Sequence, residues 1–206
     1  MGFFDIFQMA GLAFFLVVFL GRTLILRLRQ GINPFALGQG KKGLHRFFEL
    51  ALFPWLVVWL LAILVSALHG PRGLLAVIGT PLVLNSLPLQ IAGCLLIAFG
   101  NILFVWALIS FGNSWRVGID ARQAGALVTD GAFAFSRNPI FVFLDLYFLG
   151  TFLINGTLTF LIFAGVTILG IHTQILQEER FLLSRYGQAY REYCSRTGRY
   201  ISRISK

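Results

Sequence analysis

Long apolar runs separated by short charged stretches dominate the pattern of this chain. A bilayer core of about 30 Å needs about 20 apolar residues per helix, and two runs in the first third of the chain have this length. They cover residues 3–28 and 50–71. Arg22 lies near the end of the first run, where its long side chain can reach the membrane surface. Both runs predict membrane-spanning helices.

The second half predicts three further spans. The stretch from Gly73 to Trp115 is uncharged but broken by prolines in its first part, which indicates a loop or short interfacial helix before a span at 88–111. A later uncharged run contains Asn155-Gly156, a strong turn signal, and is expected to form two helices at 139–154 and 157–178.

Asp145 lies inside the fourth predicted span. A carboxylate at that depth costs several kcal/mol unless it is paired, hydrated or protonated. Asp145 is therefore expected to face protein or a polar cavity rather than lipid.

The tail from Glu178 to Tyr200 has the pattern of an amphipathic helix. One stripe at spacings i, i+4, i+8 and i+11 consists of Leu182, Tyr186, Tyr190 and Tyr193. Such a helix packs at the membrane interface, as a simple anchor or as a lid over a cytoplasmic site. The predicted fold is all-α: five transmembrane helices, the last two a hairpin, plus this C-terminal amphipathic helix.

Composition agrees with a membrane protein. Hydrophobic residues make up 57% of the chain, charged residues 12%, and the mean hydropathy is +0.81, whereas a soluble domain is usually about 25% charged. This excludes a soluble enzyme, a disordered chain and a secreted disulfide scaffold. The net charge of +9 then reports membrane orientation rather than binding of nucleic acid.

The positive charges lie almost entirely on one face of the predicted bundle. That face holds Arg27, Arg29, Lys41, Lys42, Arg46, Arg116, Arg122, Arg137 and the arginines and lysine of the tail. The other face holds only Arg72. By the positive-inside rule the C-terminus is cytoplasmic and the N-terminus outside, in a multi-pass protein of an inner or plasma membrane.

Three further features carry little chemistry. Residues 38–43 match G-x-G-x-x-G, but without a βαβ context they indicate a flexible loop that contacts anionic lipid. Cys94 and Cys194 are expected to be free thiols. The three histidines are scattered, so no metal site is expected.

Polar and charged residues with possible catalytic or binding roles are most concentrated in residues 112–141 and 174–180. Gln174 and Glu178 are i, i+4 neighbours and share a helix face. From the residues alone, the adjacent carboxylates Glu178 and Glu179 fit a solvated helix end as well as a site for a cationic ligand.

Three motifs follow one another in this part of the chain. They are Leu127-Val128-Thr129-Asp130-Gly131-Ala132-Phe133, then Arg137-Asn138-Pro139-Ile140-Phe141, then Glu178-Glu179-Arg180-Phe181-Leu182 with Tyr186-Gly187-Gln188-Ala189-Tyr190-Arg191-Glu192-Tyr193. Their order and spacing resemble the isoprenylcysteine carboxyl methyltransferase family, whose wider clan includes phospholipid methyltransferases. The resemblance covers about residues 110–200. It divides the single membrane domain, 1–206, into an N-terminal two-helix part, 1–72, and a methyltransferase-like catalytic part, 88–206.

The resemblance implies a membrane methyltransferase that uses S-adenosylmethionine at the cytoplasmic face, with lipophilic substrates entering from the bilayer. Carried over by position, the cofactor contacts would be Gly125, Ala126, Leu127, Val128, Phe133, Asn138, Pro139, Ile140, Phe141 and Glu178. The expected partners are a lipophilic small molecule or lipid and the membrane itself, with no nucleic acid.

The chain departs from the family pattern at several of these positions. Asn138 replaces a histidine, and Phe133 and Phe141 replace tyrosines. Gln174 stands where an arginine holds the substrate carboxylate, and glutamine cannot make that bidentate charged contact. The candidate catalytic residues are Gln174 and the two arginines able to supply a cation instead, Arg137 and Arg116.

The expected reaction is methylation of a carboxylate or thiol on a lipophilic acceptor. The alternatives are methylation of a phospholipid amine and a catalytically silent protein of the same fold. A sterol-reductase-like enzyme is disfavoured, because Tyr-x-Gly does not follow the Arg137 motif. His172 is a weak candidate for a general base, and a core or cavity-lining role suits it better.

Overall fold

A computed structural model describes residues 1–30, 44–69, 86–112 and 126–201. Its helices are α1 (Phe3–Gln30), α2 (Leu44–His69), α3 (Leu87–Phe111), α4 (Ala132–Phe135), α5 (Pro139–Asn155), α6 (Leu158–Tyr186) and α7 (Gln188–Arg196). Three of them, α1, α3 and α6, are long and apolar enough to cross a membrane, whereas α5 and the apolar part of α2 are shorter. Within these ranges the all-α, multi-pass expectation is confirmed, and the count of five spans stays a prediction.

A proline and a glycine set the two ends of α5. Pro139 occupies the first turn of α5, directly after Asn138. Gly156 ends the same helix in the left-handed region, with φ of 61°, and its N–H donates to the Phe152 carbonyl at 2.8 Å. The ends of α3 and α5 agree with the predictions to within one residue, whereas α2 begins at Leu44, six positions before its predicted start.

The tail contains two helices rather than one. Helix α6 continues past its predicted end at residue 178 to Tyr186, and Gly187, with φ of 54°, interrupts the chain before α7 begins. Because a left-handed residue turns the chain, the predicted continuous helix from 178 to 200 is wrong at Gly187. The four stripe residues still meet, since Leu182 and Tyr186 pack against the buried Tyr190 and Tyr193.

Helices α3 and α5 form the tightest contact in the described bundle. A Cβ atom on Gly93 would lie 2.7 Å from the Gly150 carbonyl oxygen, and one on Gly150 would lie 2.8 Å from the Gly93 carbonyl oxygen. Only glycine allows the two backbones this approach. Small residues serve the same purpose where helices pack in membranes.

Aromatic rings fill the centre of the bundle. The Trp59 ring stacks on Phe148 with centroids 4.2 Å apart, and Phe143 lies 4.7 Å from Phe104. Phe15 of α1 contacts the latter pair, with its centroid 5.0 Å from that of Phe104. These contacts join α1, α2, α3 and α5 in one core.

Hydrogen bonds tie the C-terminal end of α5 to α1 and α2. The Asn155 amide donates to the Gln8 side-chain oxygen and accepts from the Ser66 hydroxyl, both at 2.9 Å. Deeper in the bundle, the Tyr147 hydroxyl donates to the Gln8 carbonyl at 3.1 Å. Polar side chains within a bilayer need such partners. This end of α5 is therefore fixed, and the predicted site lies at its other end, around Asn138.

Candidate functional site

The predicted site residues lie where α3 and α6 end and α5 begins. The Ser110 hydroxyl, near the end of α3, accepts the Ala132 N–H at 3.0 Å and so docks the short helix α4 there. Arg22 of α1 donates to the Gly112 carbonyl at the same end. The end of α3 and the start of α4 therefore lie together, and α1 reaches them through Arg22.

A small aromatic cluster joins the loop after α3 to the tail. Phe133, Tyr190 and Tyr193 are buried, and Leu127 and Val128 pack against them. The Tyr193 hydroxyl donates to the Phe133 carbonyl at 2.6 Å. The structure thus brings together three predicted cofactor residues, and α7 covers them.

Phe133 itself is occupied by protein contacts. Its side chain is only 6% exposed, and its ring lies edge-on to Phe111 with centroids 4.5 Å apart. In this arrangement the Phe133 ring supports the loop. A ligand would meet it only at its margin.

Charged groups form a second cluster beside the aromatic one. The Glu179 carboxylate pairs with Arg137 at 3.0 Å and accepts two hydrogen bonds from Arg199, at 2.7 and 3.0 Å. Arg137 also contacts the Cys194 sulfur. Arg137, a candidate catalytic cation, therefore has its charge balanced by Glu179. No ion pair joins Arg137 to Asp145 among the described residues.

The residues after α7 are bonded to the loop before α5. The Arg137 N–H donates to the Gly198 carbonyl at 3.0 Å, and the Asn138 side-chain amide donates to the Arg199 carbonyl, also at 3.0 Å. The Ser136 hydroxyl donates to that same carbonyl at 3.3 Å. Asn138 thus holds the C-terminal segment across the predicted cofactor region.

Burial and nearby charges shift the pKa values of ionisable groups in the C-terminal tail. It raises the pKa of Tyr190 and Tyr193 well above the usual value, and the nearby Glu179 carboxylate adds to the effect at Tyr190. The hydrogen bond from Arg199 to Glu179 raises the pKa of the Arg199 guanidinium. Both phenols are therefore neutral near pH 7 and can act there only as hydrogen-bonding groups.

The remaining predicted residues lie on α5, on α6 or at position 126, or they fall outside the described ranges. Gln174 and Glu178 lie half-buried on α6. Pro139 is buried, Ile140 and Phe141 are half-buried, and Ala126 is exposed. Arg116 and Gly125 lie outside the described residues, so their predicted roles remain predictions.

Four participants are not among the predicted site residues: Glu179, Arg199, Tyr190 and Tyr193. Glu179 stands next to the predicted Glu178, but nothing in the sequence indicates which of two adjacent carboxylates meets Arg137. Arg199 lies beyond the motifs. Tyr190 and Tyr193 were assigned only to the amphipathic stripe.

These residues suit S-adenosylmethionine in their chemistry. The ligand offers an adenine, an amino acid group and a sulfonium, which call for apolar walls, hydrogen-bonding groups and a carboxylate. Leu127 and Val128 provide apolar surface, and Glu178 a half-buried carboxylate on the facing helix. The Tyr190 hydroxyl is fully buried, and the polar side chain beside it is the Cys194 thiol, a weak hydrogen-bonding group.

Fold and site together define a helical multi-pass membrane protein with its polar chemistry at one end of the bundle. Residues 88–189 match the family described as phospholipid methyltransferase, which belongs to the clan of the isoprenylcysteine carboxyl methyltransferases. This segment runs from the start of α3 into α7. The predicted resemblance is thereby confirmed. No curated protein matches the chain.

Proposed function

We propose that this protein is an S-adenosylmethionine-dependent methyltransferase that acts on a lipophilic acceptor at the cytoplasmic membrane face. The observation that carries the proposal is the family match over residues 88–189, the segment that supplies α3, α5, α6 and most of the site. The convergence of the loop 126–128, Asn138 and the end of α6 supports it.

The cofactor would supply an electrophilic methyl group, and the residues would bind, orient and exclude water. Glu178 would accept hydrogen bonds from the amino group, and Leu127 and Val128 would contact the adenine. The tail, fixed through Glu179, would shield the site from bulk water. Transfer would then depend mainly on alignment and desolvation, and an amine acceptor would have to release its ammonium proton to water before its lone pair could attack.

The chemical type of the methyl acceptor depends on which charged side chains are free to bind it. The arginine that would bind a carboxylate is replaced by Gln174, and the Arg137 charge is balanced by Glu179. Neither residue therefore offers an unbalanced positive charge for a substrate carboxylate, which argues against methylation of a carboxylate. The family match favours the alternative, methylation of a phospholipid amine.

Calorimetry of S-adenosylmethionine binding to detergent-purified protein tests the proposal. Wild type is expected to bind, and Glu178→Ala to lose at least tenfold in affinity. Glu192→Ala is the matched control, because Glu192 is an exposed glutamate on α7. Folded wild type that does not bind would refute the proposal and favour a catalytically silent protein.

A further inference from the structure

Asp145 lies within the apolar helix α5, and no described group balances its charge. Its Oδ1 atom is fully buried and has no hydrogen-bond partner among the described residues. Two arginines of the site, Arg137 and Arg199, are both paired with Glu179. A carboxylate at such depth costs several kcal/mol unless it is compensated.

His172 and Tyr200 close one side of the Asp145 region. The Tyr200 hydroxyl lies 2.7 Å from His172 Nδ1, and the two rings are stacked with centroids 6.1 Å apart. Burial, followed by the nearby Asp145 carboxylate, raises the pKa of Tyr200, which brings the C-terminal segment electrostatically close to α5. Aromatic and polar groups thus surround Asp145. Among the described residues, no arginine, lysine or histidine forms an ion pair with it.

Asp145 lies at a position on α5 where it could contact a methyl acceptor bound next to the cofactor residues around Asn138. The two residues are seven positions apart, which places them on nearly the same face of the helix and about 10 Å apart along its axis. Asp145 therefore lies deeper in the bundle than the predicted cofactor residues. His172 of α6 is linked to this level through its contact with Tyr200.

We infer that Asp145, through its free Oδ1, binds the ammonium group of a lipid acceptor. A primary ammonium supplies the charge and hydrogen-bond donors that this oxygen lacks, and an aromatic neighbour such as Tyr200 favours a cation. The inference rests on the proposed function, of which it specifies the acceptor. Asp145 would determine specificity by favouring head groups that carry an ammonium over those that carry none.

Lipid binding measured by native mass spectrometry tests the inference on the purified full chain. The probes are phosphatidylethanolamine and phosphatidylglycerol with the same acyl chains, and soluble phosphoethanolamine. Wild type is expected to prefer phosphatidylethanolamine by at least tenfold, and Asp145→Asn to bring this preference to about one. Asp5→Asn is the matched control, because it removes a carboxylate from α1 that accepts the Gly2 N–H at 2.8 Å.

The outcomes separate this inference from the proposed function. Thermal unfolding and S-adenosylmethionine binding are measured on the same samples. Asp145→Asn that folds, binds the cofactor and has lost the lipid preference supports the inference. A preference that survives in Asp145→Asn, or is absent from wild type that binds the cofactor, overturns it and leaves the proposed function intact. Equally tight binding of soluble phosphoethanolamine would overturn the assignment of a lipid ligand. Folded wild type that binds no cofactor refutes the proposed function, whatever the lipid result.

Discussion

At the scale of single residues, the Glu179 carboxylate joins three parts of the chain that are distant in sequence. It pairs with Arg137 before α5 and with Arg199 after α7, while its own backbone belongs to α6. The side chains of Glu179 and Arg137 are each 12% exposed, and that of Arg199 is 37% exposed. Loss of one partner of a buried ion pair leaves the other charge uncompensated, which costs more than the pair itself contributes.

Replacing Glu179 with glutamine is therefore expected to destabilise the protein. We expect a loss of about 2 kcal/mol, below the 3–5 kcal/mol of fully buried pairs because Arg199 is partly solvated. Thermal unfolding in detergent measures the change. Glu192→Gln, an exposed glutamate on α7, serves as control and should stay within about 0.5 kcal/mol of wild type. Equal stability of the two variants would contradict the role given to Glu179.

At the scale of elements, helix ends that carry a local sequence signal could be predicted. A break hidden by a continuous apolar stripe and a contact between distant segments could not. Pro139 and Gly156 set the ends of α5 through their own backbone geometry, so both could be predicted. Gly187 was missed because the apolar stripe continues across it at helical spacing. The pairing of Arg137 with Glu179 has no periodic signal, since the two residues meet only after α5 and α6 have packed.

The contact between α3 and α5 gives the second prediction. Gly93→Ala places a methyl group 2.7 Å from the Gly150 carbonyl oxygen, so the helices must separate, and overpacking of this kind costs about 1–3 kcal/mol. Gly165→Ala is the matched control, because a Cβ on this α6 glycine meets nothing within 4 Å and alanine favours helix by about 1 kcal/mol. Unfolding temperatures should therefore shift in opposite directions. A neutral or stabilising Gly93→Ala would show that the two helices are farther apart.

The buried tyrosines of α7 predict a loss of stability at alkaline pH. The pKa of Tyr190 and Tyr193 is raised by burial above the ordinary value of 10.0, so the unfolded chain ionises first. Ionisation of these phenols leaves the free energy of unfolding unchanged below about pH 10. Above that pH it lowers the free energy of unfolding by up to about 1.4 kcal/mol per pH unit for each phenol. Unfolding followed from pH 8 to 11 measures this slope, and Tyr190→Phe should make it shallower. An unchanged slope in this variant would contradict the burial of Tyr190.

At the scale of the whole molecule, the remaining question is how many helices cross the membrane. Helices α1, α3 and α6 are long enough by length and composition, whereas α5 reaches a full crossing only by tilting or by starting below the membrane surface. The charge pattern requires an odd number of spans. Five spans place the segment around Arg72 and the turn at Asn155 outside.

Single cysteines introduced into a variant without Cys94 and Cys194 distinguish the topologies. With five spans, a membrane-impermeant thiol reagent added from outside should label cysteines at positions 72 and 157, but not at 41 or 203. If α2 and α5 do not cross, positions 72 and 157 lie on opposite sides of the membrane or within it, and only one or neither is labelled. Permeabilised membranes, in which all four positions should react, provide the control. Labelling of position 203 in intact cells would invert the orientation and place the candidate site, with its cluster of arginines, on the outer face.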